Sequence, residues 1–250
     1  MIAGKHIYEE LVNAVKKQSE AHRVLDCGIN ERCLGLHTSA GTGLAFVPGD
    51  AWEQARRIGP ARLADELRGR ALSNIVPHYV ESDSLRTVFA LAAINALLIN
   101  RGEPDVDVWK QDLGGTQRLG LIGDLRPFVN RIGFAGTEQI LFELKPLPGA
   151  HRPEEAGEFL PGCDVVFMTS AVFSNKTLHH YLAHINSGAR AFIFGHSTPL
   201  ADCLLDVFTL CSNEVVDVQG AFQSLWQGKG IRQLKPFMRK VIRMSKKKNG

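Results

Sequence analysis

The chain has 250 residues, of which 44% are hydrophobic and 22% are charged, and its formal net charge at pH 7 is +3. These values are typical of a globular protein that has enough apolar residues for two cores of modest size. No apolar run reaches the roughly 18 residues that a membrane-spanning helix needs, so we expect no membrane partner.

The first 17 residues predict an amphipathic helix. Apolar residues at helical spacing form one stripe, and glutamates and lysines occupy the other face. The stripe consists of Ile7, Tyr8, Leu11, Val12 and Val15. This pattern differs from that of a secretory signal peptide, so we expect a cytoplasmic protein.

The five cysteines predict neither a metal site nor a redox site. Their number is odd, no pair has C-x-x-C spacing, and most of them lie in apolar segments. Buried, reduced thiols are therefore the interpretation that we favour.

The C-terminal segment is strongly basic, with nine lysines and arginines and no acidic residue from Lys229 onward. Such a segment is compatible with nucleic-acid binding. No aromatic residues alternate with the charges in the pattern of a known binding module, however, and terminal charge runs are usually solvated. We therefore do not expect a nucleic-acid partner, and the sequence leaves homo-oligomer formation open.

The first half of the chain predicts an α+β domain. After the first helix, three β-like runs at 22–26, 33–37 and 42–47 are separated by turn residues, and helical patterns follow at 61–70 and 85–99. Ser82, Asp83 and Ser84 are placed to cap the last helix, which is apolar on all sides and must be buried. We expect Asn95 within it to be a structural amide, because a buried amide needs partners.

In the second half, strands and helices alternate regularly. Strands are predicted at 118–122, 138–142, 165–168 and 191–194, and helices at 124–131, 153–159, 176–186 and 201–207. The strands are apolar without alternation, as is typical of parallel strands that are buried on both faces. We predict an α/β protein with an α+β domain at 1–110 and a Rossmann-like domain at 111–250, joined by a link near 102–116.

Several motifs of the second half, in this order and spacing, resemble the domain family known as "Putative heavy-metal chelation". The motifs are GLIGDLRP, the LPGCDVVFMTS segment leading into Asn175-Lys176-Thr177, the loop at 195–199, and GAFQSLWQGKGIRQLKPFMRKVIR. LGLHTSAGTGLAF and LAAINALL resemble the enolase N-terminal-like domain that accompanies this family. The chain differs from the family pattern at His196, where proline is usual, and at Ser170-Ala171, where a glycine is common.

The resemblance implies that the two domains enclose a cleft that binds a metal ion or a metal chelate. It also implies that His37 and Thr38 of the first domain face this cleft. We take His37 as the candidate ligand from that side.

Polar residues follow each strand of the second half, at the edge where parallel sheets bind their ligands. Asp124 would repel a pyrophosphate at the helix that follows it, so we do not expect classical NAD binding, and a helix N-cap is the simpler role for this residue. Thr169, Ser170, Asn175 and Thr177 can hold an oxyanion or cap a helix, and capping alone explains Asn175. The predicted ligand-binding residues are Gly123, Asp124, Glu143, Thr169, Ser170, Asn175, Gly195, Ser197, Thr198 and Thr38.

Histidines are the candidate metal ligands. His196 follows a predicted strand beside the Thr169 loop, and we predict that His196 and His37 contact a divalent or heavy metal ion. His180 and His184 have metal-ligand spacing, but the apolar face of their predicted helix points them outward to solvent.

Two functions remain open. The first is the binding of a small ligand, a metal ion or a metal chelate, in the cleft between the domains. The second is an enzyme that acts on a small metabolite with a nucleotide-like ligand in the same cleft. The sequence contains no Ser-His-Asp order, thiolate ligand set or P-loop, so it names no reaction.

Overall fold

The computed structural model describes residues 6–80, 84–104, 113–134 and 136–246. The described part of the first half consists mainly of helices around one small sheet. Its helices and strands are α1 (His6–Ser19), β1 (Val24–Ile29), β2 (Cys33–Thr38), β3 (Gly41–Phe46), α2 (Gly49–Ile58), α3 (Pro60–Leu67) and α4 (Ser84–Leu98).

The first sheet is an antiparallel meander in the order β1-β2-β3, and α4 packs across it. Nearly every side chain of α4 is buried, as its uniform apolar pattern predicted. The Asn95 Nδ2 donates a hydrogen bond to the Leu44 carbonyl at 2.8 Å, which confirms a structural role for this amide nitrogen. Its Oδ1 is buried without a partner among the described residues.

The second half is built around a larger sheet. Its helices and strands are β4 (Glu103–Pro104), β5 (Arg118–Ile122), α5 (Arg126–Val129), β6 (Glu138–Phe142), β7 (Ala150–His151), α6 (Ala156–Phe159), β8 (Val165–Thr169), α7 (Ala171–Ser174), α8 (Leu178–Leu182), β9 (Arg190–Phe194), β10 (Phe208–Val215), α9 (Val218–Trp226), α10 (Ile231–Leu234) and β11 (Met238–Arg243).

This sheet has the order β4-β11-β10-β9-β8-β5-β6-β7. The strands from β10 to β7 run parallel to one another, whereas β11 is antiparallel to both β10 and β4. The carboxyl ends of β5, β6, β8 and β9 therefore meet at one edge, as the continuous apolar runs predicted.

The two halves share one hydrophobic core. It contains residues of α1 and α4 from the first half together with residues of β8, β9 and β10 from the second. Polar contacts also cross between the halves: the Tyr79 hydroxyl donates to the Phe173 carbonyl at 3.0 Å. The two sheets are nevertheless separate, which leaves room for a cleft between them.

All four helices predicted in the second half are shorter than expected, and α5 and α6 each have four residues. The helix predicted at 176–186 is limited to α8, because Lys176 adopts a left-handed conformation (φ 53°) that separates α7 from α8. The helix predicted at 201–207 is a single 3-10 turn, Asp202–Leu204. Arg243 of β11 binds the carboxylate of Asp202 in this turn at 2.6 Å, so a tertiary ion pair fixes the segment locally.

The basic C-terminal segment contains a strand over 238–243, which the sequence did not predict. Val241 and Ile242 are buried, and Arg239 pairs with Glu214 of the neighbouring strand β10 at 2.5 Å. Residues 247–250 lie outside the described part, as do Ser82 and Asp83 of the predicted helix cap. The sequence analysis also missed α2, whose buried residues are only Ala51 and Ala55.

The cysteines are free, as predicted. Cys27, Cys33 and Cys163 are buried, and burial raises the pKa of Cys163 to about 11. Such a thiol stays protonated at neutral pH and is a poor metal ligand. Within the described ranges, no single helix has the length and hydropathy of a membrane span.

Candidate functional site in the cleft between the two sheets

A cavity of about 460 Å³ lies where the carboxyl ends of β5, β6 and β8 face the end of β3. Phe46, Pro48 and Gly49 line it from the first half of the chain. This is the edge at which parallel sheets bind their ligands, and the volume is in the range of small-molecule sites. Five of the residues predicted from the sequence line the cavity, namely Gly123, Asp124, Glu143, Thr169 and Asn175.

Asp124 is bound by an arginine. Its carboxylate accepts two hydrogen bonds from the Arg126 guanidinium, at 2.8 and 2.9 Å, and a longer one from the Arg126 amide. These bonds hold the pKa of Asp124 below its usual range. The predicted plain N-cap role is therefore wrong, since Leu125 occupies the N-cap position and the main partner of Asp124 is a side chain.

The end of β6 places a carboxylate next to a buried phenol. Glu143 Oε1 accepts a hydrogen bond from the Leu144 amide at 2.8 Å. Tyr181 of α8 also lines the cavity and is only 1% exposed. Burial, with a further contribution from the nearby Glu143 and Glu154 carboxylates, raises the pKa of Tyr181 far above its usual range. The phenol is thus a neutral hydrogen-bond donor at the cavity wall.

The segment after β8 supplies uncommitted polar groups. Thr169, Asn175 and Thr177 line the cavity, and their side chains make no hydrogen bond within the described part of the chain. Asn175 is not a helix N-cap, because Thr177 is the N-cap residue of α8; it is the C-cap residue of α7, and its backbone N–H donates to the Ala171 carbonyl while its side chain stays free of hydrogen bonds among the described residues. Its side-chain amide is therefore available to a ligand.

Ser170, Ser197 and Thr198 form a buried hydrogen-bonded seam behind the cavity. Ser197 Oγ accepts from the Phe46 amide at 2.5 Å, and the Ser197 amide donates to Ser170 Oγ at 3.3 Å. Thr198 Oγ1 donates to the Gly195 carbonyl at 2.8 Å. A Cβ on Gly195 would lie 2.1 Å from Ser170 Oγ, so only glycine fits there. These predicted binding residues hold β3 against the second sheet and do not line the cavity.

His196 is part of the same seam. Its imidazole hydrogen-bonds to the Ala45 carbonyl, and its Nε2 is buried without a partner among the described residues. Burial lowers the pKa of His196 to about 4, so the ring is neutral at neutral pH. A neutral Nε2 can ligate a metal, but no second metal-binding side chain contacts it in the described structure.

His37 occupies a different environment. It pairs across strands with Asp26 and Thr42, its Nδ1 lies 2.9 Å from Thr42 Oγ1, and its ring packs edge-on against Phe222 of α9. Neighbouring Thr38 closes the β2–β3 turn through a hydrogen bond to the Gly41 carbonyl. Neither residue lines the cavity. Among the described residues, no group of three or more His, Cys, Asp or Glu side chains is arranged to hold a metal ion.

The geometry of His180 and His184 differs from the expected solvated helical pair. α8 ends at Leu182, so His184 lies beyond it, and its ring packs close to Gly157 of α6. The ring of His180 packs against that of His179, with centroids 4.0 Å apart. Both side chains are partly buried.

Sequence reasoning missed Tyr181, Lys145 and Phe46 as cavity residues. Tyr181 was assigned to the buried face of its helix, and it is buried, but its side chain also forms part of the cavity wall. Lys145 follows the predicted strand end by three residues, so a wider window around that end would have included it. No sequence signal marks Phe46.

Two family models together match most of this chain. DUF364, described as "Putative heavy-metal chelation", matches residues 107–244, and DUF4213, with the same description, matches residues 9–98. The chain belongs to the DUF364 family. No curated protein matches it.

Two solved structures have the same mixed α/β fold. One is a protein of unknown function from the DUF364 family of Desulfitobacterium hafniense DCB-2, with 21% identity and a TM-score of 0.79; the match covers 97% of this chain and 99% of that chain. The other is a DUF364 protein of unknown function from Pyrococcus horikoshii, with 17% identity and a TM-score of 0.74, covering 93% and 99%. At these identities the likeness shows the fold alone.

Proposed function

We propose that this DUF364 protein binds a small ligand in the cleft, and that the ligand is a metal ion held in an organic chelate. The description of both matching families supports the metal. The observation that carries the proposal is the set of uncommitted polar side chains around the cavity, namely those of Thr169, Asn175, Thr177 and Tyr181.

The donor set of the cavity argues for a chelate over a bare ion. Heavy metals prefer thiolate and imidazole ligands, and neither cysteine nor histidine lines the cavity. Asp124 is occupied by Arg126, which leaves Glu143 as the uncompensated carboxylate. One carboxylate cannot complete the coordination of a metal ion, so an organic partner must supply the remaining donors.

The lining of the cavity matches the organic part of such a ligand. Phe46, Phe142 and Val172 provide apolar surface, and the Tyr181 phenol and the Asn175 amide provide directed hydrogen bonds. Binding sites for small molecules typically combine a mainly apolar wall with a few such polar groups. Lys145 adds a positive charge that favours an anionic chelate.

Direct ligation of a metal by His196 and His37 stays a prediction. The two imidazoles have different neighbours, since His196 contacts Ala45 while His37 contacts Thr42 and Phe222. The chelate proposal does not require either of them. It does require that the metal and the organic molecule bind together.

One observation favours the enzymatic alternative. A neutral phenol at Tyr181 beside the Glu143 carboxylate is a pair that could transfer a proton to or from a metabolite in the same cavity. The two functions differ in whether the bound organic molecule is chemically changed. Product analysis therefore distinguishes them.

The finer domain assignments are also proposals. We propose an enolase N-terminal-like domain at 1–110 and a Rossmann-like domain at 111–250. The parallel order β6-β5-β8-β9-β10, with the cavity near the switch between β5 and β8, supports the second assignment. β4 belongs to the second sheet, which favours a boundary close to residue 103.

Native mass spectrometry combined with elemental analysis tests the proposal. The purified protein should carry one metal per chain together with an organic mass. The double variant Asn175→Ala/Tyr181→Phe should lose both, because it removes two cavity donors that make no hydrogen bond to any described residue. Asn100→Ala, at an exposed asparagine remote from the cavity lining, is the matched control and should retain them.

Two results would contradict the chelate proposal. A metal without an organic mass that survives the double variant and is lost in His196→Ala would indicate direct ligation. An organic mass without metal would favour the enzymatic alternative.

A further inference from the structure

A second cavity lies on the other side of the first sheet and is independent of the proposed cleft ligand. It has a volume of about 670 Å³ and is bounded by β1 with its following turn, by α2 and α3, and by the end of α9. Its lining shares no residue with that of the cleft. The volume is suitable for a small organic molecule.

The wall of this cavity is preformed by Asn30. Its Nδ2 donates to the carbonyls of Leu225 and Lys229, and its Oδ1 accepts from the amides of Arg32 and Cys33. Asn30 is buried, so these four bonds fix the turn after β1 to the end of α9. A ligand that enters here meets a rigid wall, which lowers the entropic cost of binding.

Two tryptophans line the cavity. Trp226 is 61% exposed, and its indole lies across Gly28, where an added Cβ would be 3.2 Å from Nε1. Trp52 contributes a second indole from α2. In the described part of the chain, no cation stacks on either ring. An exposed tryptophan held in place by its backbone contact is a typical binding surface for a ligand.

The electrostatic environment favours a positive charge. Asp26, Glu31 and Asp65 line the cavity, and among the described residues Arg68 is the one basic side chain that does so. Arg68 pairs with both Asp26 and Asp65 at 3.3 Å, and Glu31 pairs with the exposed Arg32 at 3.2 Å, so three carboxylates face two guanidinium groups and the local charge is negative by one. The C-terminal end of α9 also faces this cavity, and no basic residue lies in the last turn of that helix. Several of its last carbonyls are bonded within the protein, among them that of Leu225, which accepts from Asn30, so this helix end adds only a weak partial negative charge.

The backbone of β1 supplies further acceptors. Among the described residues β1 is an edge strand paired with β2. Val24 at its start bonds to Gly69 and Arg70, and the Cys27 amide donates to Asp26, whereas Cys27, Gly28 and Ile29 line the cavity. Main-chain groups on the free side of an edge strand can bond to a ligand. An ammonium group with N–H donors can therefore reach both carboxylates and backbone carbonyls here.

We propose that this cavity binds an organic cation, an ammonium compound with a flat apolar body, whose charge faces Asp26, Glu31 and Asp65 and whose body packs against Trp52 and Trp226. The tryptophan rings and the carboxylates both recognise the positive charge of the ligand, the rings through cation–π contact and the carboxylates through ion pairing. A neutral or anionic compound of the same shape satisfies only the apolar part of the site.

Calorimetric titration of the full chain with phenethylammonium tests this proposal. We expect saturable binding in the millimolar range or tighter, and at least about tenfold weaker binding of neutral 2-phenylethanol and anionic 3-phenylpropionate. Trp226→Ala should weaken phenethylammonium about fivefold, and Glu31→Gln should weaken it while reducing its salt dependence. Val216→Ala, at an exposed apolar residue that does not line the cavity, is the matched control.

The indole N–H resonances in ¹H–¹⁵N spectra give a second measurement that is independent of calorimetry. Those of Trp52 and Trp226 should shift together on titration, and the double variant Asn175→Ala/Tyr181→Phe should behave as the wild type. The proposal is overturned if no saturable binding is seen at ligand concentrations about ten times the expected millimolar dissociation constant. It is also overturned if the anion binds equally well, or if Trp226→Ala leaves the affinity unchanged. None of these results bears on the cleft ligand.

Discussion

Replacing His196 with glutamine should flatten the pH dependence of stability below neutrality. Burial lowers the pKa of His196 to about 4, from 6.5 for a free imidazole. Between these values the unfolded chain binds a proton that the folded chain does not, so the free energy of unfolding falls as the pH falls through 6.5 and stops falling below about 4. The glutamine variant keeps a donor for the Ala45 carbonyl but cannot titrate.

The magnitude follows from the two pKa values. Relative to pH 7.5, the protonation of His196 in the unfolded state should cost the wild type about 1.4 kcal/mol at pH 5.5 and about 2.5 kcal/mol at pH 4.5. All other titrating groups are common to both proteins and cancel in the difference. Any direct packing cost of the substitution is an offset that does not depend on pH.

Urea unfolding of the wild type and of His196→Gln at pH 7.5, 5.5 and 4.5 measures this difference. The free energy of unfolding of the variant, minus that of the wild type, should increase by these amounts as the pH falls. His196→Asn is a second non-titrating variant, and a matching result for it would show that the effect does not come from how glutamine packs. A gap that stays constant with pH would refute the assignment of His196 as a buried neutral imidazole.

Three further predictions concern the seam and the cleft. Ser197→Ala leaves the Phe46 amide without its acceptor and should lower the free energy of unfolding by about 1–3 kcal/mol in urea titration; a loss below about half a kcal/mol would mean that water replaces the hydroxyl. Gly195→Ala places a Cβ against Ser170 at φ +135° and should lower the melting temperature, whereas an unchanged melting temperature would show that the loop relaxes freely. Asp124→Asn breaks a partly exposed ion pair and should cost less than about 1 kcal/mol without loss of cleft ligand; loss of the ligand would place Asp124 among its contacts.

Strand positions in the second half could be predicted from the sequence because buried parallel strands are continuous apolar runs. β5, β6, β8 and β9 were each placed within one residue of their observed ends. β10 and β11 were missed because their exposed positions carry polar and basic residues, so FTLCSNEV and MRKVIR do not read as core strands. β11 is stabilised by pairing on both sides, which a local pattern does not show.

The location of the cleft could be predicted, but the roles of its residues could not. Polar residues at strand ends identified the edge of the sheet, and Asp124, Glu143, Thr169 and Asn175 line the cavity there. Ser170, Ser197 and His196 have the same sequence signature but face the first half of the chain, where they hold β3 in place. Which side of a loop faces a neighbouring unit depends on tertiary packing, and no spacing rule predicts it. Tyr181 was correctly predicted to be buried, but the sequence did not show that its buried side chain also lines the cavity.

An anomalous difference map from crystals of the protein purified without chelators tests the central claim most directly, because it locates the metal. The account predicts one anomalous peak inside the cleft cavity, within continuous density for an organic molecule that contacts Asn175 and Tyr181, and at least 4 Å from every protein nitrogen and sulfur, as expected for a metal whose donors come from the ligand. A peak within about 2.2 Å of His196 Nε2 or a His37 ring nitrogen would contradict it, since that distance shows direct ligation by the protein.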